Sequence, residues 1–374
     1  YNDLKDDKEK LYAYKYKTEK EYKKEFEWLK EVSCYALQQS RIDLETAYKN
    51  FFRRLKQGNK KAGFPRFKSK KNSKNSFRIC QTVDNILQIK NVKLRLTKYG
   101  WIKFRGLSKD FQGTIKSITV TRNKDNTYEA SILVEQDKVI KQRISDNKIG
   151  IDLGLKEFIF CSNGEFINGI NKYLFKIEKQ IKKVQKHFSR KIEVNKKNNK
   201  QNSKRQEKCR IKIAKLFKYK TNFMNHFQWH LVNKLCSENQ AICLENLNIA
   251  GMIKNHKLAH SISYSNWGSF VSKLEQKAKE YETSIVKIDR WFPSSKTCSN
   301  CGQIKKDLTI EDRVYSCNCG LEIDRDLNAA INILKEGLKS LSLEYSDYKH
   351  GESVRPKEII YNFDGQFSEK CLLK

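Results

Sequence analysis

Four cysteines fall in two tight pairs, Cys298-x-x-Cys301 and Cys317-x-Cys319, with fifteen residues between Cys301 and Cys317. Four thiolates complete a tetrahedral shell around Zn²⁺ and leave no open position, so such a metal would be structural rather than catalytic. Gly302 and Gly320 follow the two pairs and let the backbone turn tightly around an ion. An iron–sulfur cluster is the alternative for four thiolates, although short hairpins with this spacing mostly hold zinc.

Three carboxylates form a second constellation. Asp152 lies within the apolar run Ile149-Gly150-Ile151-Asp152-Leu153-Gly154, which reads as a buried strand with the carboxylate in its middle. Glu245 ends the short strand Ala241-Ile242-Cys243-Leu244. Asp326 lies in Asp324-Arg325-Asp326-Leu327-Asn328-Ala329-Ala330, the start of a helix. A carboxylate in a buried strand is costly unless it is paired or binds a metal. Three such groups can hold two Mg²⁺ ions about 4 Å apart, one activating water and the other stabilising a leaving oxygen in phosphodiester cleavage. Taken singly, each has another reading: Asp152 as a turn carboxylate, Glu245 as a surface residue, Asp324 as a helix N-cap.

The elements that must position these groups can be read from periodicity. Residues 19 to 57 read as helix, with Leu37, Leu44, Ala47, Tyr48, Phe51 and Leu55 at helical spacing and no Gly or Pro among them. From about 77 to 136 the pattern changes to short β-rich runs around 86–89, 101–104, 117–121 and 128–134, with a hairpin turn at Asn123-Lys124-Asp125-Asn126. This predicts a compact antiparallel β domain. Strands at 149–154 and 158–161 follow, then two long helices over 172–236. Their intervening stretch, 195–208, is a solvated helix or a flexible crossing. A helix at 266–281 and a strand at 284–288 complete an α/β pattern.

Charge points to a polyanionic partner. The 374 residues carry 76 Lys+Arg against 43 Asp+Glu, a formal +33. A surface that positive repels itself unless a polyanion neutralises it, and nucleic acid is the usual one. Compositional bias toward Lys is the bland alternative. A dense basic cluster follows the first helix, including Arg53, Arg54, Lys61, Arg66 and Lys68, with Phe64 and Phe67 interleaved. Cations and rings together suit phosphate contact and base stacking, against a plain solvated loop. The other seven of the eleven cysteines are scattered, as in a reducing compartment. No stretch approaches 18 apolar residues, so no membrane span is expected.

The motifs, in this order, resemble TnpB, the family of RNA-guided nucleases of bacterial insertion sequences related to miniature type V CRISPR effectors. The resemblance runs over nearly the whole chain. It is carried by Lys61-Ala62-Gly63-Phe64-Pro65-Arg66-Phe67-Lys68, by the segments around Asp152, Glu245 and Asp326, which resemble the three RuvC motifs, and by Trp291-Phe292-Pro293-Ser294-Ser295-Lys296-Thr297 leading into Cys298.

The resemblance implies a multidomain α+β chain. A helical recognition-like segment would occupy 1–76 and a β-rich wedge-like domain 77–145. An RNase H-like (RuvC) α/β nuclease would occupy 146–290 and resume in a last helix at 321–340, with a zinc ribbon inserted at 291–320 and a tail at 341–374. It further implies that Asp152, Glu245 and Asp326, rather than Asp324, hold catalytic Mg²⁺, and that the partners are guide RNA and target DNA. The expected activity is metal-dependent endodeoxyribonuclease, in the cytoplasm and associated with the nucleoid. The alternative is a cleavage-impaired or truncated RNA-guided DNA-binding protein acting as regulator or remnant; all three carboxylates are retained, which favours the enzyme. A plain zinc-ribbon transcription factor leaves the carboxylates unexplained. Family members carry roughly 40 residues, a strand and a helical segment, ahead of the position of Tyr1, so the resemblance also implies a missing start.

Overall fold

The computed structural model describes residues 17–59, 62–66, 69, 75–81, 86–90, 92–107, 113–137, 140–167, 170–198, 203–256, 259–309, 311–341, 356–361 and 367–369. The chain divides into two compact units, Tyr1–Asp137 and Lys138–Lys374.

In the first unit the stretch expected as one helix is three. Helix α1 (Glu19–Glu25) starts with a capping box between Thr18 and Glu21 and ends at Phe26, whose backbone is extended. A single 3₁₀ helix (Glu27–Glu31) follows, and α2 (Cys34–Lys56) starts afresh after Ser33. Gly and Pro are not the only breakers. Val32 is β-branched, and serine favours a cap over a helix interior. Helix α2 packs on β1 (Asn75–Cys80) through its early residues; Ala36 and Gln39 are buried, whereas Leu44 and Leu55 stay exposed.

The expected β runs form two antiparallel sheets among the described residues. Strands β2 (Gln88–Lys90), β3 (Lys93–Leu96) and β4 (Gly100–Lys103) make one; β1 pairs with β5 (Thr114–Arg122), which pairs with β6 (Tyr128–Glu135), to make the other. The β5–β6 turn lies at the expected hairpin. Asn126 takes a left-handed φ of 67°, and Asp125 accepts from the Thr127 backbone. Ile79, Leu94, Leu96 and Ile118 form the core of this unit.

The second unit is built on one sheet, in the order β11-β10-β7-β8-β9-β14-β15 among the described residues. Its strands are β7 (Asn147–Asp152), β8 (Ile159–Cys161), β9 (Glu165–Ile167), β10 (Asn239–Glu245), β11 (Ser284–Ile288), β14 (Lys357–Tyr361) and β15 (Phe367–Glu369). Strands β7, β10 and β11 are parallel, and β8 and β9 fold back antiparallel. The last two strands come from the stretch expected only as a tail, 341–374. Glu358-Ile359-Ile360-Tyr361 is a β-prone run, and Ile359 is buried on the open edge that β9 offers. Helices α3 (Ile170–Lys197) and α4 (Lys204–Glu238) pack on each other, and the described residues of the expected crossing, 195–198 and 203–208, belong mainly to their ends. Two short helices, α5 (Ile249–Met252) and α6 (Ala259–Ser265), precede α7 (Trp267–Tyr281), which packs on α4. A hairpin of β12 (Val314–Ser316) and β13 (Glu322–Asp324) leads into α8 (Arg325–Ser340).

Strand periodicity sorts the two faces of this sheet. Ile149, Ile151, Ile242 and Leu244 join the core formed with α4 and α7. The intervening positions Ala241, Cys243 and Gly150 face α8. Helix α8 lies almost on the strands because two positions lack a side chain. A Cβ on Gly150 would fall 2.2 Å from the Ala330 carbonyl oxygen, and one on Gly337 would fall 2.4 Å from Cys243 Sγ.

Candidate active site and cysteine cluster

The same alternation delivers the carboxylates. Asp152 is the last residue of β7, not a mid-strand residue, and shares the face of Gly150. Glu245 is the last residue of β10 and shares the face of Cys243. The register sets Cys243 beside Gly150 and Leu244 beside Ile151, which brings Glu245 level with Asp152. Parallel strands end at one edge, so both carboxylates stand there, on the face that α8 covers. Asp326 arrives from the first turn of α8.

The three groups sense one another. Burial first, then the negative charges of Glu245 and Asp326, push the half-buried Asp152 carboxyl up to about 8, against a smaller opposing pull from Arg325. Each partner carboxylate is already held. Glu245 Oε1 accepts a 2.6 Å hydrogen bond from Ser294 Oγ. Asp326 accepts from Arg325 Nε and a second Arg325 nitrogen, both at 3.2 Å, and from Arg313 at 3.5 Å. Asp324 is engaged differently. As the N-cap of α8 it accepts from the backbone N–H groups of Asp326 and Leu327 at 2.9 and 3.1 Å, which is the capping role its residue type favours.

The four cysteines converge. Cys298 and Cys319 Sγ atoms lie 3.6 Å apart, as do those of Cys301 and Cys317. Among the described residues this is the group of metal-ligating side chains whose ligand atoms all lie within 4.8 Å of one another; the three carboxylates do not reach that spacing. A tetrahedral shell with about 2.3 Å metal–sulfur bonds has sulfurs about 3.8 Å apart, so the observed spacing fits an ion held by four thiolates. Gly302 and Gly320 take φ of 79° and 88°, the turns expected beside the two pairs. Burial pushes the Cys298 thiol up to about 12. The Leu321 N–H and then the Asn300 amide draw Cys319 down to about 6. Tyr315 forms the small core under the cluster with Cys298 and Leu308, and its hydroxyl donates to the Lys296 carbonyl.

The basic cluster of the first unit is only partly visible. Arg53, Arg54 and Arg66 are exposed. The Phe64 ring meets Tyr48 and Phe51 edge-on at 5.5 and 5.3 Å, so it ties its loop to α2. Lys61, Phe67 and Lys68 lie outside the described residues. No helix among the described residues is long and apolar enough to cross a membrane.

Several residues around the carboxylates carried no role in the sequence reading. Ser294, Arg313 and Arg325 meet them directly, while Asn328 and Asn332 hold the loop before the first cysteine pair. The available signal was a pair of amides one helical turn apart in an apolar helix, which must find partners when buried.

Comparison with known proteins agrees with the motifs. A family model described as a probable transposase (OrfB_IS605) matches residues 131–256, and one described as Cas12f1-like, TNB domain, matches residues 267–333. A Streptomyces pristinaespiralis protein named "Putative RNA-guided DNA endonuclease" is 33% identical over 345 residues, covering 90% of this chain and 78% of the relative. InsQ of Escherichia coli K12, named in the same way, is 30% identical over 330 residues, covering 84% and 77%. A chain of a Cas12f1–sgRNA–target DNA complex aligns with 19% identity and a TM-score of 0.40, over 75% of this chain and 67% of that one. The identity and reciprocal coverage of these relatives, together with motifs that run in order along the sequence, place the chain in the TnpB family of transposon-associated RNA-guided DNA endonucleases.

Proposed function

We propose that the chain cuts DNA at sites chosen by a guide RNA, and that Asp152, Glu245 and Asp326 are the catalytic carboxylates of an RNase H-like (RuvC) nuclease. One observation carries this reading. Two strand ends and a helix start deliver three carboxylates to one sheet edge, where burial, and then the charges of Glu245 and Asp326, raise the Asp152 carboxyl. The three parallel strands and the antiparallel β8–β9 return support the fold assignment. Buried carboxylates facing one another are costly without a cation, and carboxylate oxygens are the donors that suit Mg²⁺. When bound, two such ions would supply an activated water and charge stabilisation on the leaving oxygen.

The remaining roles belong to the protein. Arg325 and Arg313 balance Asp326, and Asp324 fixes the start of the helix that carries it. The four cysteines would hold a structural Zn²⁺ whose thiolate shell leaves no place for substrate. Arg53, Arg54, Lys61, Phe64, Arg66, Phe67 and Lys68 are the proposed contacts to guide RNA or target DNA, and a chain engaged in this way would work at the nucleoid.

Alanine at Asp152, Glu245 or Asp326 tests the assignment. Each should abolish cleavage of guide-matched DNA while RNA binding persists. Cleavage retained in Asp326→Ala but lost in Asp324→Ala would reassign the third carboxylate.

A further inference from the structure

The loop that runs into the first cysteine pair also touches a carboxylate of the candidate active site. Ser294 is 3% exposed, and its Oγ donates to Glu245 Oε1 at 2.6 Å across 49 residues of sequence. The serine is itself held. Its carbonyl accepts from Asn332 Nδ2 at 2.9 Å, and the same amide donates to the Thr297 carbonyl at 2.6 Å. One helical turn earlier, Asn328 donates to the Thr297 carbonyl at 2.7 Å and accepts from the Ser299 N–H at 2.9 Å. Lys335 donates to the Ser299 carbonyl at 2.7 Å. Asn328 and Asn332 are 0% and 4% exposed on α8. Buried amides there are costly unless bonded, and the loop backbone satisfies both.

We propose that Ser294 is a positioning residue that fixes the Glu245 carboxylate for a divalent ion. The α8 asparagines set Ser294, and Ser294 sets Glu245. A glutamate has three side-chain torsions to restrain. The serine bond engages one carboxylate oxygen and leaves the other to a cation. Carboxylates that ligate metals are themselves hydrogen-bonded, and losing the outer partner typically costs 10–100-fold in metal affinity or activity. The inference rests on the reading of Glu245 as a metal-holding carboxylate. It assigns a purpose to Ser294 within the Trp291–Thr297 motif, which otherwise only leads into the cysteines.

The test compares parent, Ser294→Ala, Ser294→Thr and Glu245→Ala as full chains. Mn²⁺ binding to the RNA-free chain is followed by electron paramagnetic resonance. The Mg²⁺ dependence of cleavage is followed with the RNA-loaded chain. S294A should weaken Mn²⁺ binding and raise the Mg²⁺ midpoint by about 10–100-fold. Excess Mg²⁺ should restore its rate, because the lost quantity is affinity. S294T keeps the hydroxyl and should stay within about threefold of the parent midpoint. Thermal denaturation checks that S294A retains its fold, since the carbonyl that Asn332 anchors is unchanged. A parental midpoint in S294A overturns the proposal, as does a folded S294A or S294T whose rate excess metal does not restore. Undiminished Mn²⁺ binding in E245A would instead overturn the underlying reading of Glu245.

Discussion

Replacing Gly150 by alanine should misplace the carboxylates without altering any of them. The added Cβ would lie 2.2 Å from the Ala330 carbonyl oxygen, 2.7 Å from the Leu334 nitrogen and 2.8 Å from Leu334 Cβ. Two of these atoms are backbone, so no rotamer change relieves the contact. Helix α8 must back away from β7 by about 1 Å to approach van der Waals separation. Asp326 rides on that helix, one turn before Ala330. A displacement of about 1 Å at reacting groups costs on the order of 10²-fold in rate, and overpacking a core costs about 1–3 kcal/mol in stability. Single-turnover cleavage in Mg²⁺, thermal denaturation and RNA binding together separate the effects. Gly150→Ala should lose about 10²-fold in cleavage rate with RNA binding retained. Gly337→Ala, at the far end of α8, meets Cys243 Sγ at 2.4 Å. It should lose stability with a smaller rate penalty, and Cys243→Ala should partly rescue it. A folded G150A cutting at the parental rate would refute the claim that α8 contact sets the carboxylate geometry.

Other consequences follow from the same geometry. Burial, Glu245 and Asp326 hold the Asp152 carboxyl at about 8. Its contribution to stability is therefore full below the ordinary value of 3.8 and lost as pH rises through 8. Asp152→Asn removes that titration, so in EDTA the variant should gain stability on the parent as pH rises from 5 to 8. Parallel pH profiles in urea denaturation would contradict this. Metal analysis should find about one zinc per chain, and Cys301→Ser should lose it and lower the melting temperature; a folded, zinc-free parent would remove the ribbon from the account. RNA affinity should fall about 10³-fold between 50 and 200 mM salt if some six phosphates are neutralised, whereas a flat response would contradict the charge reading.

The parts of the site that were legible in sequence are those whose chemistry is local. Cysteine spacing determines a metal shell within a few turns of chain, and the four thiols do converge. Glu245 was visible as a carboxylate closing an apolar run and Asp152 as one inside such a run, although the strand in fact ends on it, and period-2 alternation with the register explains their shared face. Between Asp324 and Asp326 the motif resemblance preferred the second, and the structure shows the first engaged as the helix cap. Ser294, Asn328 and Asn332 were not legible, because their partners lie 29 to 49 residues away. The break of the first helix at Phe26 and Val32 escaped a reading that sought only Gly and Pro. The strands after Lys357 needed the edge of β9, itself a three-residue strand too short to stand out from its turn.

The central claim is that these carboxylates form a DNA-cutting site addressed by RNA. The most direct measurement is to purify the chain from its native locus, sequence the RNA that accompanies it, and incubate the complex in Mg²⁺ with plasmids that carry or lack a matching target. The account predicts cleavage of the matched plasmid alone, lost in Asp152→Ala. Cleavage independent of the match, or no cleavage by an RNA-loaded parent on plasmids covering all short flanking motifs, would contradict it.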